Sequence, residues 1–333
     1  MKNYKLAIVG ATGVVGRCIL KVLEEKNLPI SKYVLFASSK SAGKQISFMK
    51  ENYTIQELTE DSFCEGFDFA IFSAGASVAK KFAPIAVKNG CVVIDNSSAF
   101  RMDCDVPLIV PEVNSEDIKA NKGIIANPNC STIQAVVALK PLDDKYNIKR
   151  IVYSTYQAVS GAGSKGILDL ENGINAFSTN EDYSLNKFPH PIFNNCLPHI
   201  DVFLDNGYTK EEEKMINETR KILKNPDLNV TATTVRVPVF NSHSESINVE
   251  FEKEFDLNDL INTLKNSPGI IVQNDSKSNI YPMAINSTNN NEVFVGRIRR
   301  DFSISSGVNL WVVADNIRKG AATNAIQILE RMI

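Results

Sequence analysis

The stretch KLAIVGATGVVG (residues 5–16) decides the fold class. Its apolar residues have the run length of a buried strand, glycines follow at positions 10, 13 and 16, and an amphipathic helix pattern then extends to residue 26. Glycines between a first strand and a first helix permit a tight turn and let backbone N–H groups approach a pyrophosphate. The spacing G-x-x-G-x-x-G departs from the commoner G-x-G-x-x-G, so a turn that binds no ligand is the alternative.

Strand and helix patterns alternate through the first part of the chain. A helix is predicted between the last two strands, where Pro84 kinks it and Gly90 ends it. Apolar strands are predicted at residues 5–9, 33–38, 68–74 and 91–95. This alternation is typical of an α/β fold with a Rossmann-type, doubly wound parallel sheet.

The pattern changes after about residue 128, where runs of strands have few helices between them. Such runs predict a second domain of α+β character with a mixed sheet. The last segment carries apolar residues at helical spacing, and we expect this helix to return to the first domain. The predicted domains are therefore residues 1–128 plus 315–333, and residues 129–314.

Composition limits the classes of partner. The 333 residues are 44% hydrophobic and 22% charged with a formal net charge of −2, and no basic stripe is present, so we expect neither nucleic acid nor a membrane as partner. The N-terminal apolar run is too short for a signal peptide or a transmembrane helix. Six cysteines without a C-x-x-C pair and three scattered histidines predict reduced thiols, a cytoplasmic protein and no metal site.

The second predicted strand indicates which dinucleotide would bind. It ends in Ser38-Ser39-Lys40, where a protein that binds NAD usually carries an acidic residue for the ribose hydroxyls. Hydroxyl groups and a lysine suit a 2′-phosphate better, which favours NADP as the cofactor. A solvated polar loop is the alternative interpretation of Lys40.

The segment ANPNCSTIQ (126–134) places Cys130 at the start of a predicted helix. A thiol there lies at the positive end of the helix dipole, which lowers its pKa, and free N–H groups nearby can hold an oxyanion. Downstream, Arg236 suits a carboxylate and His243 suits proton transfer to a cysteine adduct. A core thiol, a surface ion pair and a polar loop histidine are the alternatives.

The sequence resembles the aspartate-semialdehyde dehydrogenase family over its whole length. The resemblance rests on LAIVGATGVVGR, IDNSSAFRMDCDVPLIVPEVN, IANPNCSTIQ, TYQAVSGAGSKG, RVPVFNSHSES and DNIRKGAATNAIQI. It implies that Cys130 is the nucleophile, His243 the general acid/base and Gln157 the group that orients the reacting centre. It further implies a substrate and phosphate site formed by Arg101, Asn129, Glu211, Lys214 and Arg236. Within that site Arg236 would bind the substrate carboxylate, Glu211 the amine, and Arg101 with Lys214 the phosphate.

For the cofactor, the same resemblance implies an NADP site in the first domain and a catalytic and dimerisation role for the second. The implied cofactor residues are Gly10, Ala11, Thr12, Gly13, Val14, Ser38, Ser39, Ser160, Gly161 and Asn316. A homodimer is the implied assembly.

The implied reaction is NADPH-dependent reduction of L-4-aspartyl phosphate to aspartate 4-semialdehyde, with release of inorganic phosphate, through a Cys130 thioester. The implied pathways are the biosynthesis of lysine through diaminopimelate and of threonine, methionine and isoleucine. Three alternatives remain: a glyceraldehyde-phosphate dehydrogenase, an N-acetyl-glutamyl-phosphate reductase, and a dinucleotide-binding regulator without catalysis.

Overall fold

A computed structural model describes residues 3–333 of the chain, so the first two residues of the predicted domain 1–128 lie outside the described residues. The chain divides into two compact units. One comprises Met1–Pro128 together with Ala321–Ile333, and the other comprises Asn129–Gly320. Each unit is built around its own six-stranded sheet.

The first unit contains a fully parallel six-stranded sheet. Its strand order is β5-β2-β1-β6-β7-β8, and every neighbouring pair is parallel. The strands of the unit are β1 (Tyr4–Val9), β2 (Ile30–Ala37), β3 (Gln45–Phe48), β4 (Glu51–Thr54), β5 (Gln56–Glu57), β6 (Phe69–Phe72), β7 (Val92–Asp95) and β8 (Ile124–Ala126), of which β3 and β4 form a separate hairpin. The predicted Rossmann-type sheet is confirmed, and its strand order reverses between β1 and β6, where such sheets bind ligands.

Helices cover this sheet because their apolar stripes pack against its buried strands. The helices of the unit are α1 (Val14–Lys26), α2 (Ala76–Lys88), α3 (Pro111–Asn114) and a C-terminal helix (Asn324–Glu330). Pro84 lies within α2, and the left-handed Gly90 follows its end. The C-terminal helix packs on this unit through Ala325, Ile326 and Leu329, all fully buried, as the sequence predicts.

The second unit contains a mixed sheet, as predicted. Its strand order is β10-β9-β11-β14-β13-β12, with β9 and β10 parallel and β11 antiparallel to β9. Its strands are β9 (Ile148–Gln157), β10 (Asn229–Arg236), β11 (His243–Phe251), β12 (Ile270–Val272), β13 (Val293–Asp301) and β14 (Gly307–Ala314). Its helices are α4 (Cys130–Tyr146), α5 (Ser164–Thr179), α6 (Lys210–Ile222), α7 (Leu257–Lys265) and α8 (Ala284–Ser287).

The boundary before the last helix differs from the prediction. Residues 315–320 belong to the second unit, whereas the sequence analysis assigned them to the first domain. The physical reason is a set of contacts with other residues of that unit: Asn316 accepts the Ser242 N–H at 2.9 Å, and Asp315 accepts the Asn289 N–H at 2.8 Å. No helix within residues 3–333 has both the length and the apolar character needed to cross a membrane.

Candidate active site

The first unit holds a cavity of about 480 Å3 at the carboxyl ends of β1, β2 and β6. The glycine turn forms one wall. Gly10 has a φ of +88°, and a Cβ at this position would lie 2.3 Å from the Ser73 carbonyl oxygen, so the close approach of the two strand ends requires glycine. The lining residues are Val9, Gly10, Thr12, Gly13, Ala37, Ser38, Ser39, Glu57, Leu58, Ser73, Ala74, Val78 and Phe82.

The start of α1 fits an anionic group such as a pyrophosphate. Gly13 is the N-cap, no side chain caps the helix, and its first turn holds no acidic residue. The N–H groups of Gly10 and Ala11 donate instead to the Phe36 carbonyl, at 2.8 and 3.2 Å. The Ala11 side chain lies in the hydrophobic core. The available donors are therefore those of the helix start at Val14, rather than the whole predicted turn.

Ser38 and Ser39 line the part of the cavity beyond β2, where a 2′-phosphate was predicted. Lys40 is exposed and is not among the lining residues. The structure adds Glu57, which the sequence analysis missed because β5 has only two residues and no apolar pattern. Glu57 pairs with Ala37 across the sheet and lines the same cavity as the two serines.

Arg101 also belongs to the first unit. It is buried, and its guanidinium donates to the carbonyl oxygens of Asn127 at 2.9 Å and Asn96 at 3.1 Å. These bonds to backbone oxygens hold the side chain in one orientation.

In the second unit, three strand ends bring the remaining candidates together. Gln157 ends β9 and Arg236 ends the parallel neighbour β10, so the two residues pair directly across the sheet. The antiparallel β11 begins at His243, beside the end of β9. A glutamine, an arginine and a histidine therefore meet at one end of three neighbouring strands. Their spacing in the sequence did not predict that they would lie together.

Cys130 is the first residue of α4, and its thiol is partly exposed. Asn129 is the N-cap, and its side-chain oxygen lies 3.5 Å from the thiol Sγ. The backbone beside the thiol is crowded, because a Cβ on Gly320 would lie 2.8 Å from the Cβ of Cys130. The position predicted for a reactive thiol, at a helix start, is the one observed.

Glu211 is the centre of a buried hydrogen-bond cluster beside Cys130. Its Oε1 accepts Asn129 Nδ2 at 3.0 Å and Gln157 Nε2 at 3.1 Å, and its Oε2 accepts Lys214 Nζ at 3.0 Å. Although burial opposes ionisation, Lys214 and the two amides lower the pKa of Glu211 to about 2. Glu211 is therefore a carboxylate at pH 7.

The neighbouring glutamates face elsewhere. Glu212 caps α6 by accepting the Thr209 N–H at 2.7 Å, and Glu213 binds Asn206 near the surface. Lys214 lies between two carboxylates, because its Nζ also binds Asp201 at 2.8 Å. Burial opposes the charged lysine, but the two carboxylates raise the pKa of Lys214.

His243 is fully buried and held in one tautomer. The Ala158 N–H donates to Nδ1 at 3.0 Å, so the ring proton resides on Nε2, which has no hydrogen-bond partner within residues 3–333. Burial is the main cause that lowers the pKa of His243, to about 3, and the positive charge of Arg236 acts in the same direction. The imidazole ring is therefore neutral, and its Nε2–H is the group that can donate a hydrogen bond.

Arg236 is buried close to Cys130 and Glu211. Burial lowers its pKa, and the negative charges of those two groups oppose this effect. Its Nη1 donates to the Ala158 carbonyl at 2.6 Å. Gly161 leaves the space beside it open, because a Cβ there would lie 2.9 Å from Nη1.

The remaining two predicted cofactor residues of this unit bind each other. Ser160 Oγ and the Asn316 side chain lie 3.1 Å apart at their closest, next to the His243 end of β11. Sequence reasoning missed Glu218, whose carboxylate accepts the Asn129 N–H at 2.6 Å. Its position seven residues after Glu211, on the same helical face, is the signal that could have identified it.

Within residues 3–333, no group of three or more histidine, cysteine or acidic side chains is arranged to hold a metal ion.

Comparisons with known proteins identify the family of this chain. The family description "Semialdehyde dehydrogenase, NAD binding domain" matches residues 5–121, and "Semialdehyde dehydrogenase, dimerisation domain" matches residues 139–319. The chain is 57% identical over 334 residues to an aspartate-semialdehyde dehydrogenase of Aquifex aeolicus, covering 99% of this chain and 98% of that protein.

Solved structures give the same result. The crystal structure of aspartate semialdehyde dehydrogenase II from Vibrio cholerae, complexed with ASA, has a TM-score of 0.97 at 45% identity and covers 100% of this chain and 98% of that one. The enzyme of Candida albicans, solved with NADP, has a TM-score of 0.76 at 26% identity over 99% and 98% of the two chains. The family resemblance in the sequence is thus confirmed, and this chain belongs to the aspartate-semialdehyde dehydrogenase family.

Proposed function

We propose that this chain reduces L-4-aspartyl phosphate to L-aspartate 4-semialdehyde with NADPH and releases inorganic phosphate. The observation that carries the proposal is the grouping of Cys130 with the buried Gln157, Glu211, Arg236 and His243 in a chain of this family. We further propose a cytoplasmic enzyme that serves the biosynthesis of lysine through diaminopimelate and of threonine, methionine and isoleucine.

Cys130 is the nucleophile in this proposal. Its thiolate attacks the acyl carbon, a C–S bond forms, the bond to the phosphate oxygen breaks, and inorganic phosphate leaves with the bonding electron pair. The helix start favours the thiolate, and Gln157 orients the carbonyl beside it. The product of this step is a thioester on Cys130.

The nicotinamide, when bound, supplies the hydride that reduces the thioester carbon. The resulting oxyanion of the thiohemiacetal needs a donor, and His243 presents its Nε2 proton from a fixed ring. Collapse of this oxyanion breaks the C–S bond, releases the aldehyde and restores the Cys130 thiolate. In this acid/base assignment, the neutral His243 donates a hydrogen bond from Nε2 to the oxyanion of the thiohemiacetal.

The charges of the cluster match an amino-acid substrate. Arg236 offers a guanidinium for the α-carboxylate, and the ionised Glu211 offers an acceptor for the α-amine. Arg101 and Lys214 are proposed for the phosphate. Because Lys214 is already paired with Asp201 and Glu211, we assign it the smaller share of that role.

NADP is the proposed cofactor. The serine hydroxyls at 38 and 39 line the cavity where a 2′-phosphate would lie, and the Candida albicans relative was solved with NADP. The pyrophosphate is assigned to the start of α1 at Val14, which follows the glycine turn, and the nicotinamide end to Ser160, Gly161 and Asn316.

A homodimer is the proposed assembly, formed through the open face of the mixed sheet. That face carries a cavity of about 690 Å3 whose walls include the partly exposed Tyr156, Tyr281, Met283 and Trp311. It lies within the segment that matches a dimerisation domain. Sedimentation equilibrium should give twice the chain mass of 36.8 kDa, and Tyr281→Arg should shift the protein toward one chain.

The activity test runs in the oxidative direction. The protein is mixed with NADP, inorganic phosphate and one aldehyde at a time: aspartate semialdehyde, glyceraldehyde 3-phosphate or N-acetylglutamate semialdehyde. We expect phosphate-dependent formation of NADPH with the first aldehyde alone, and its loss in Cys130→Ser with NADPH binding retained. Turnover with one of the other aldehydes would instead indicate a glyceraldehyde-phosphate dehydrogenase or an N-acetyl-glutamyl-phosphate reductase. No NADPH formation with any of the three aldehydes would favour a dinucleotide-binding regulator without catalysis.

A further inference from the structure

An aromatic ring lies beside the arginine that is proposed to bind the substrate carboxylate. The ring centroid of Phe188 is 5.9 Å from Arg236 Cζ, within the range in which an aromatic face attracts a guanidinium. Phe188 is partly buried and packs on an apolar cluster that includes Leu170 and Leu197. The proposed chemistry gives this ring no role.

The ring adds a second contact to a guanidinium that has few others. Among residues 3–333, the Arg236 side chain makes one hydrogen bond, from Nη1 to the Ala158 carbonyl at 2.6 Å. A planar group that is held by one bond can still pivot about it. Two parallel hydrogen bonds to a carboxylate require the plane of the guanidinium to be fixed. The Phe188 ring restricts that pivot, because it occupies the space beside the guanidinium.

Asp169 on α5 holds the backbone that carries this ring. Its Oδ1 accepts the Asn186 N–H at 2.7 Å and the Asn186 side-chain amide at 2.9 Å. Its Oδ2 accepts the N–H groups of Lys187 at 2.8 Å and Phe188 at 3.0 Å. Although burial opposes ionisation, these four bonds lower the pKa of Asp169, so it is a carboxylate at pH 7.

The same helix also receives the ring. Gly166 is one turn before Asp169 on α5, and a Cβ on Gly166 would lie 3.2 Å from Phe188 Cζ. Glycine therefore lets the ring approach the helix closely. Further along the chain, Leu197 exchanges two backbone hydrogen bonds with Arg236, at 2.8 and 2.9 Å. Leu197 thus holds the backbone of Arg236, and Phe188 lies against its side chain.

We propose that Phe188 is a positioning residue for substrate binding, whose backbone is anchored by Asp169 and whose ring holds the Arg236 guanidinium in the orientation that binds the substrate carboxylate. The effect on the substrate rests on the proposed function, in which Arg236 binds that carboxylate. Because the carboxylate does not take part in the reaction, it is bound equally before and in the transition state. The ring should therefore affect KM and leave kcat unchanged.

The test removes two rings from the same apolar cluster, one at a time. Phe188→Leu keeps an apolar side chain without a ring, and we expect the KM for aspartate semialdehyde to rise about five- to tenfold, with kcat and the KM for NADP within about twofold. The matched control is Phe193→Leu, whose ring packs on the same cluster and on Phe177, and which should keep the wild-type constants. A wild-type KM in Phe188→Leu, or an equal rise in Phe193→Leu, would overturn the proposal.

Asp169→Asn tests the anchor. An amide keeps only one acceptor oxygen, so part of the four-bond set is lost, and we expect the KM for aspartate semialdehyde to rise as in Phe188→Leu. If Asp169 acts through the ring, the double variant should have the same KM as Phe188→Leu alone. Additive increases would refute the anchoring role. If Asp169→Asn fails to fold, the two phenylalanine variants decide the proposal.

A second readout separates this proposal from the proposed function. In protein labelled with 15N-arginine, the guanidinium resonances of Arg236 can be assigned by their loss in Arg236→Lys. They should shift in Phe188→Leu, because the ring current is removed, and keep their wild-type positions in Phe193→Leu. This comparison holds whether or not the protein turns over aspartate semialdehyde. Unshifted Arg236 resonances in a folded Phe188→Leu variant would contradict the contact.

Discussion

His243 should remain uncharged down to pH 5, and this prediction can be tested quantitatively. Its pKa is lowered from 6.5 to about 3, first by burial and then by Arg236, while the Ala158 N–H occupies Nδ1, the nitrogen that a second proton would need. At pH 5 about 1% of folded molecules should carry a charged ring, against almost all unfolded molecules. The unfolded chain therefore binds more protons than the folded one.

The sign of the stability effect follows from this difference. Above pH 6.5 both states are neutral at this residue, and the histidine has no pH-dependent effect. Stability is lost as the pH falls from 6.5 toward 3, and the loss is about 2 kcal/mol at pH 5. Replacing His243 with asparagine should abolish that part of the loss.

The assay is urea unfolding at pH 8 and pH 5, with 15N-histidine spectra of the folded protein at both values. We expect the stability difference between the two pH values to be about 2 kcal/mol smaller in His243→Asn than in the wild type. The matched control is His190→Asn, at an exposed histidine, which should keep the wild-type difference. An imidazolium spectrum for His243 at pH 5, or equal pH dependence in wild type and His243→Asn, would refute the reasoning.

Three further predictions concern binding. Arg236→Lys should raise the KM for aspartate semialdehyde roughly 10- to 100-fold, because one ammonium cannot replace a planar fork, and an unchanged KM would remove Arg236 from the substrate site. Gly161→Ala should lower kcat/KM at least about tenfold in folded protein, since its Cβ would lie 2.9 Å from Arg236 Nη1; full activity would contradict this crowding. Glu57→Gln should lower the KM for NADP about fivefold and leave that for NAD unchanged, by removing a negative charge from the cavity of Ser38. The control for it is Glu60→Gln, whose carboxylate pairs with Lys81.

Local signals explain why most of the fold could be predicted. Strands such as Tyr4–Val9 and helices such as Val14–Lys26 have apolar periodicities that depend only on neighbouring residues. The strands Gln45–Phe48 and Glu51–Thr54 were missed, since they are short, mostly exposed and lack that pattern. The last compact segment starts at Ala321 rather than at residue 315, because the contacts of Asn316 with Ser160 and Ser242 join residues that are distant in sequence.

The sequence by itself determined the fold class, the family and the placement of Cys130 at a helix start, because each depends on residues adjacent in the chain. Only the tertiary structure decided which of three consecutive glutamates binds Asn129, the residue before the thiol, since that depends on how α6 is rotated against Asn129 and Gln157. It also decided which nitrogen of His243 carries the proton, because the Ala158 N–H that selects the tautomer is brought there by sheet pairing. Local periodicity contains neither kind of information, because both follow from contacts between residues far apart in the chain.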